Sequence, residues 1–211
     1  SLPGNCYCGE AGAPRRVRLP FAPRARADSM AATRISCRPA LAGDAAAMVD
    51  VHYAAVRAVD RRHYSDEVLA AWSPPPDARR SDWLADLVSR DSTLSTVAVS
   101  GGGAILGFCI ALPEQALLKA LYVHPGFAGQ GIGQTLIRDM ETRCLALGLE
   151  SLELNASYNA AAFYRRCGYE AQGPVEQPLT DTVSMRAIRM VHRLTSDLEM
   201  SPGNAHRSGS P

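Results

Sequence analysis

The chain is almost without lysine. Lys119 is the only one among 22 basic residues, and the others are arginines. We read that bias as the mark of a GC-rich genome rather than of a function. Acidic residues number 21, so the formal net charge is only +1 and no global field draws the chain to nucleic acid or to a membrane surface. No apolar run approaches the ~18 residues of a membrane-crossing helix. Cysteine is sparse and scattered: Cys6, Cys8, Cys37, Cys109, Cys144 and Cys167. Cys6-Tyr-Cys8 is too tight for a zinc knuckle, and the others stand singly, so no metal site is expected. Buried free thiols and a reducing, cytoplasmic compartment are the expectation.

What is present suits one soluble domain. The chain has 211 residues, 46% hydrophobic and 20% charged. Residues 1–29 differ from the rest. They carry Arg15, Arg16, Arg18, Arg24 and Arg26 with several prolines and only Glu10 and Asp28 as acids. They lack the apolar centre of a secretory signal, and they are too poor in serine and too broken by proline for a transit peptide. A disordered leader or upstream translated segment is expected, with Met30 as a native start. Without interleaved aromatics, these arginines do not make a nucleic-acid site. Residues 195–211, rich in Gly, Ser and Pro, are expected to be a disordered tail. The domain is then 33–194.

Inside it the periodicity changes often. "TRISCRPA" reads as a strand and "AGDAAAMVDVHYAAVRAVD" as a helix. "YSDEVLAAW" reads as a short helix that Ser65 and Asp66 begin and "WSPPPD" breaks. "DARRSDWLADLVSR" is a further helix. "STLSTVAV" and "AILGFCIAL" are strands joined through Ser100-Gly101-Gly102-Gly103. "ALLKALYV" is a buried strand that runs into a glycine loop. From Gly133, Leu136, Ile137, Met140, Cys144 and Leu147 recur at helical spacing up to Gly148. "SLELNA" is a strand, "YNAAAFYRRC" a short helix and "VSMRAIRMVHRL" a last strand. The class is α/β with a mixed sheet.

The loop is the informative stretch. "LYVHPGFAGQGIGQTL" places Gly126, Gly129, Gly131 and Gly133 between a strand and a helix start. A helix N-terminus carries unpaired N–H donors and a partial positive charge, and glycine lets a ligand approach the backbone. Together they suit phosphate. No lysine follows, so this is not a Walker loop. Neither GxG frame completes GxGxxG, because Gln134 and Leu136 stand where the third glycine belongs.

The stretch resembles the acetyl-CoA loop of the GNAT superfamily of N-acetyltransferases, [QR]xxGx[GA] after a V-x-P strand end. Here the frame is Ala128-Gly129-Gln130-Gly131-Ile132-Gly133, with Ala128 in place of the usual Gln or Arg. "LELNASYNAAAFYRRCGY" resembles the family's later motif, through Asn155, Asn159, Phe163, Tyr164, Gly168 and Tyr169. "HYSDEVLAAW" also resembles a bacterial subgroup. The resemblance covers roughly residues 33–194.

It implies a single GNAT-like domain, a mixed, mostly antiparallel twisted sheet flanked by helices, with a splayed strand pair holding the cofactor. It implies an acyl-CoA-dependent N-acetyltransferase that moves acetyl from acetyl-CoA, a co-substrate needing no metal, to an amine by direct attack in a ternary complex. Leu121, Tyr122 and Val123 would bind the pantetheine arm. Ala128, Gly129, Gln130, Gly131, Ile132, Gly133 and Gln134 would hold the pyrophosphate. Asn155 and Asn159 would touch the arm, and Tyr164 would be the general acid, since a phenol can return a proton to a thiolate. The base stays open among Glu114, His124, His52, His63, Tyr64, Asp66 and a water chain. His52, His63, Tyr64 and Glu114 are the expected acceptor contacts. Trp72 and Trp83 are core or an aromatic wall. The acceptor is a small-molecule or peptide amine, no nucleic acid or membrane partner is expected, and a homodimer is an open option. The alternative is a non-catalytic acyl-CoA sensor or interaction module.

Overall fold

The computed structural model describes residues 35–195. The expected leader therefore lies outside the described residues, and so does all but the first residue of the expected tail. Seven strands form one sheet in the order β1-β2-β3-β4-β5-β7-β6. They are β1 Ile35–Pro39, β2 Leu94–Ser100, β3 Ile105–Leu112, β4 Leu117–Val123, β5 Ser151–Ser157, β6 Glu170–Pro178 and β7 Ser184–Arg193. Every neighbouring pair is antiparallel except β4 and β5. The sheet class expected from the resemblance is the one observed.

Five α-helices flank it: α1 Ala45–Arg57, α2 Asp66–Trp72, α3 Ala78–Val88, α4 Ile132–Ala146 and α5 Ala161–Arg166. Their starts follow the sequence signals. Ser65 accepts the Val68 N–H at the head of α2, and Asp77 accepts the Arg80 N–H at the head of α3. On one face α1, α2 and α3 bury Met48, Val56, Leu69, Trp72 and Leu84 against Val97, Phe108, Ile110 and Tyr122. On the other, α4 and α5 bury Leu136, Ile137, Met140, Phe163 and Tyr164 against Cys109, Leu121, Leu154 and Ala156. The two apolar layers explain why the central strands read as nearly continuous hydrophobic runs.

One strand escaped the sequence reading. β6 contains Gly173, Pro174 and Pro178, residues that argue against a strand interior. It survives because it is an edge strand, paired only with β7. In β4 the register against β3 passes from Ile110↔Ala120 to Ala111↔Leu118, so Lys119 is an extra, bulged residue. The bulge re-phases the strand, which lets Leu118 and Leu121 share the α4 face while Ala120 and Tyr122 take the other. Cys109 and Cys144 are buried free thiols; burial pushes Cys109 well up and Cys144 up to about 11.

Candidate active site

The sheet is split at its centre. β4 and β5 run parallel but pair only at Leu117↔Glu153, where the Glu153 N–H donates to the Ala116 carbonyl at 2.8 Å. Beyond that point they diverge. The His124 N–H donates to Leu106 of β3 at 2.8 Å. Backbone direction alternates along a strand, so the N–H and C=O of Val123 and Leu121 face the gap. Tyr122 differs from expectation: its backbone belongs to the β3 ladder, and its buried hydroxyl accepts the Trp72 indole N–H at 3.0 Å. Trp72 is therefore core, not an exposed aromatic wall.

The gap opens toward the glycine loop. After β4, His124 Nδ1 accepts the Gly126 N–H at 3.1 Å and shapes a tight turn over Pro125–Phe127. The Ala128 N–H closes that turn on the Pro125 carbonyl at 3.3 Å. A pyrophosphate contact from this amide, expected from the motif, would have to break that bond. Gly129 and Gly131 stand at φ +78° and +77°, and a Cβ on either would meet nothing within 4 Å. Backbone conformation, not crowding, demands glycine at both, and the space above them is open. Gly131 is the N-cap of α4 with no side-chain cap, and the first donor inside the helix is Thr135, to the Gly131 carbonyl at 3.0 Å. The amides of Ile132, Gly133 and Gln134 thus make up an uncapped first turn on a 15-residue helix. Gln130 and Gln134 are exposed beside it.

The far wall is β5 and α5. Tyr164 is 2% exposed and sits edge-on between Phe163 at 5.2 Å and Tyr169 at 5.5 Å. It shares a cluster with Leu121 and Val123. Asn159 Oδ1 is buried with no hydrogen-bond partner, a costly state that a ligand donor would relieve. Asn155 is committed elsewhere in part: its amide donates to Gln177 Oε1 at 2.7 Å. Behind Tyr169, whose hydroxyl faces it, burial raises the Glu141 carboxyl above its usual value.

Acceptor-side expectations fare unevenly. His52 is 1% exposed, and burial first, then the Arg80 charge, holds its pKa down to about 3. Its Nδ1 lies 3.0 Å from Arg80 Nη2, which can only donate, so the neutral ring carries its proton on Nε2. Ser73 Oγ lies 3.0 Å away, and the ring meets Tyr122 edge-on at 4.3 Å. The structure thus places His52 in the core beside Arg80 and Ser73. Tyr64, 4% exposed, is likewise buried: its hydroxyl donates to the Arg186 carbonyl at 2.8 Å and accepts the Tyr158 N–H at 2.9 Å. His63 is exposed and reaches the open end of β5, with its ring 6.0 Å from that of Tyr158. Glu114 is exposed in the turn before β4, at the closed end of the split, so the structure does not bring the two together. Among the described residues no group of three or more His, Cys, Asp or Glu gathers as a metal site, and no helix is long and apolar enough to cross a membrane. The sequence reading gave no role in the site to Tyr158, Gln177 or Lys119. Only Lys119 had a signal, its uniqueness.

The fold as a whole has counterparts among known proteins. The family model of the acetyltransferase (GNAT) domain matches residues 61–186, more than half of the chain. The chain belongs to the GNAT acetyltransferase domain family, whose work is acyl-CoA-dependent acetyl transfer. A GCN5-related N-acetyltransferase from Rhodopseudomonas palustris is 29% identical over 75% of this chain and 95% of that one, with a TM-score of 0.67. The PaiA N-acetyltransferase of Thermoplasma acidophilum, solved with coenzyme A, shares the fold at 18% identity over 76% of this chain and 99% of its own, TM-score 0.60. A phosphinothricin acetyltransferase from Sinorhizobium meliloti, solved with acetyl-CoA, does so at 20% identity over 81% and 94%, TM-score 0.58. No curated protein matches the sequence.

Proposed function

We propose that the chain is an N-acetyltransferase that uses acetyl-CoA and acts on a small-molecule or peptide amine. One observation carries the reading: a parallel strand pair joined at a single position, opening onto the uncapped N-terminus of a helix. An anion at that terminus and an extended chain in the gap would satisfy both features at once. The coenzyme A complexes of similar folds support the choice of ligand.

Acetyl-CoA, when bound, supplies an activated acetyl thioester. The amides of Gly131, Ile132, Gly133 and Gln134 hold its phosphates. Gln130 stands in reach of them and offers side-chain donors where Ala128 has none. Leu121 and Val123 pair with the arm as a neighbouring strand would. Asn159 Oδ1 accepts from an arm amide, and Asn155 joins it by exchanging its Gln177 bond. Tyr164 holds a proton for the departing sulfur. The acceptor enters from the α1–α3 face, because α4 and its loop occupy the other, and His63 is its exposed contact. His52 and Tyr64 shape that face from within.

The test is an amine panel with acetyl-CoA, following release of free thiol, beside calorimetry with coenzyme A. Turnover on at least one amine is the expected result. Coenzyme A binding without turnover on any amine would make the chain a binding module, and no binding by folded protein would end the reading.

A further inference from the structure

Lys119 is the extra residue of the β4 bulge, two positions before Leu121 and two after Leu117, where the split closes. Its side chain is half-buried, and among the described residues no carboxylate lies within 4.0 Å of its amine. A half-buried cation with no anion is costly in a protein interior. Among the described residues no anionic partner explains why the one lysine of the chain stands here.

The direction of the gap supplies a reason. Phosphates held at Gly131 place the far end of an extended arm down β4, past Val123 and Leu121, toward the closed end. Two strand residues span roughly 6–7 Å. The flexible four-carbon stem of lysine covers a comparable distance. An acetyl group held beside Leu121 is thus within reach of the Lys119 amine.

We propose that Lys119 is a site of self-acetylation, its own amine taking the acetyl group from the thioester held in the split. This rests on the acetyl-transfer reading above. The nitrogen forms a bond to the acetyl carbon, and the carbon–sulfur bond breaks. The neutral amine gives up one hydrogen as a proton, the thiolate gains one, and the products are an amide and free thiol, with no oxidant or reductant required. Burial lowers the pKa of this amine, which enlarges its neutral, nucleophilic fraction. Acetylation also removes the buried charge.

The experiment incubates the full chain with acetyl-CoA, without acceptor, and measures intact mass and then peptide masses. One added acetyl group on Lys119 is expected, at a rate independent of protein concentration, as an intramolecular step requires. With acetyl-CoA held below its Kd, it should be roughly five- to a hundred-and-fifty-fold faster than in Gly131→Asp, whose weakened phosphate cradle lowers occupancy. Lys119→Arg should gain no acetyl group at this peptide. Because the chain has one lysine, its side-chain resonance in the ligand-free protein is single, and its titration midpoint should lie below 10.5. An unmodified Lys119 in protein that binds coenzyme A and acetylates an external amine overturns the proposal and spares the acetyl-transfer reading. Equal acetylation in Gly131→Asp overturns it too, as bulk chemistry, and so does a midpoint at or above 10.5. Absence of coenzyme A binding removes both.

Discussion

Gly131 separates two demands that usually coincide, because it is both the N-cap of α4 and the floor of the proposed phosphate site. It stands at φ +77°, and a Cβ there would meet nothing within 4 Å. Alanine therefore reports backbone strain alone. The left-handed conformation costs an ordinary residue ~1–2 kcal/mol, which in a domain of this size lowers Tm by roughly 2–8 °C. Aspartate tolerates that conformation better, and its charge at a helix N-terminus returns ~0.3–1 kcal/mol. In the ligand-free protein, Gly131→Asp should thus melt above Gly131→Ala. For coenzyme A the order should invert. A carboxylate about 5 Å from a phosphate, at an effective dielectric constant of about 20–80, costs ~1–3 kcal/mol, roughly a five- to hundred-and-fifty-fold rise in Kd. The methyl of alanine enters open space and should change Kd much less. Thermal melts and calorimetry on the two variants give the two orders directly. Equal affinity in both would mean that no anion sits at α4, and the site as drawn would be wrong.

Other outcomes follow from single side chains. Tyr164→Phe should lower kcat and kcat/KM together by roughly ten- to a thousandfold while leaving coenzyme A affinity nearly unchanged, the pattern of a proton donated only in the transition state; steady-state kinetics and calorimetry check it. Glu141 titrates higher folded than its usual value of 4.5, so it costs stability as pH rises through that window, and Glu141→Gln should unfold at higher denaturant than wild type above the window, with the gain fading toward pH 4.5. His52 has the opposite sign. Its folded pKa of about 3 lies below 6.5, so the unfolded chain takes up a proton that the folded chain refuses, and stability falls by about 1.4 kcal/mol per unit between those values. Urea melts of His52→Gln should show a shallower loss across that range. Trp72→Phe should cost about 1–3 kcal/mol in the same melts, because the buried Tyr122 hydroxyl loses its donor.

Much of the fold was legible because its signals are local. Ser65 announced a helix start, the glycines after Val123 announced the loop, and the apolar runs of β3 and β4 announced strands, the second a buried one. β6 was illegible because Gly173, Pro174 and Pro178 mean a strand only where no second neighbour needs their N–H groups, and being an edge is a property of topology. Single-sequence reading also cannot separate a histidine that faces substrate from one that faces Arg80 and Ser73; His52 took the second role only when α1, α2 and α3 packed together. Likewise, nothing local said that Asn155 would find Gln177 from a strand that was itself unread. The bulge at Lys119 arises from a register change against β3, and register belongs to pairs of strands.

The split has one consequence beyond binding. It creates two raw strand borders that face each other in the middle of a seven-stranded sheet, with amides of Leu121 and Val123 paired to no strand. Exposed borders of this kind recruit other chains. A newly made molecule in a cell depleted of coenzyme A carries an open seam. Coenzyme A bound as proposed would close it by mass action, adding about 2.7 kcal/mol when the ligand stands at about a hundred times its Kd. The stability of the folded chain would then rise and fall with the supply of its proposed ligand.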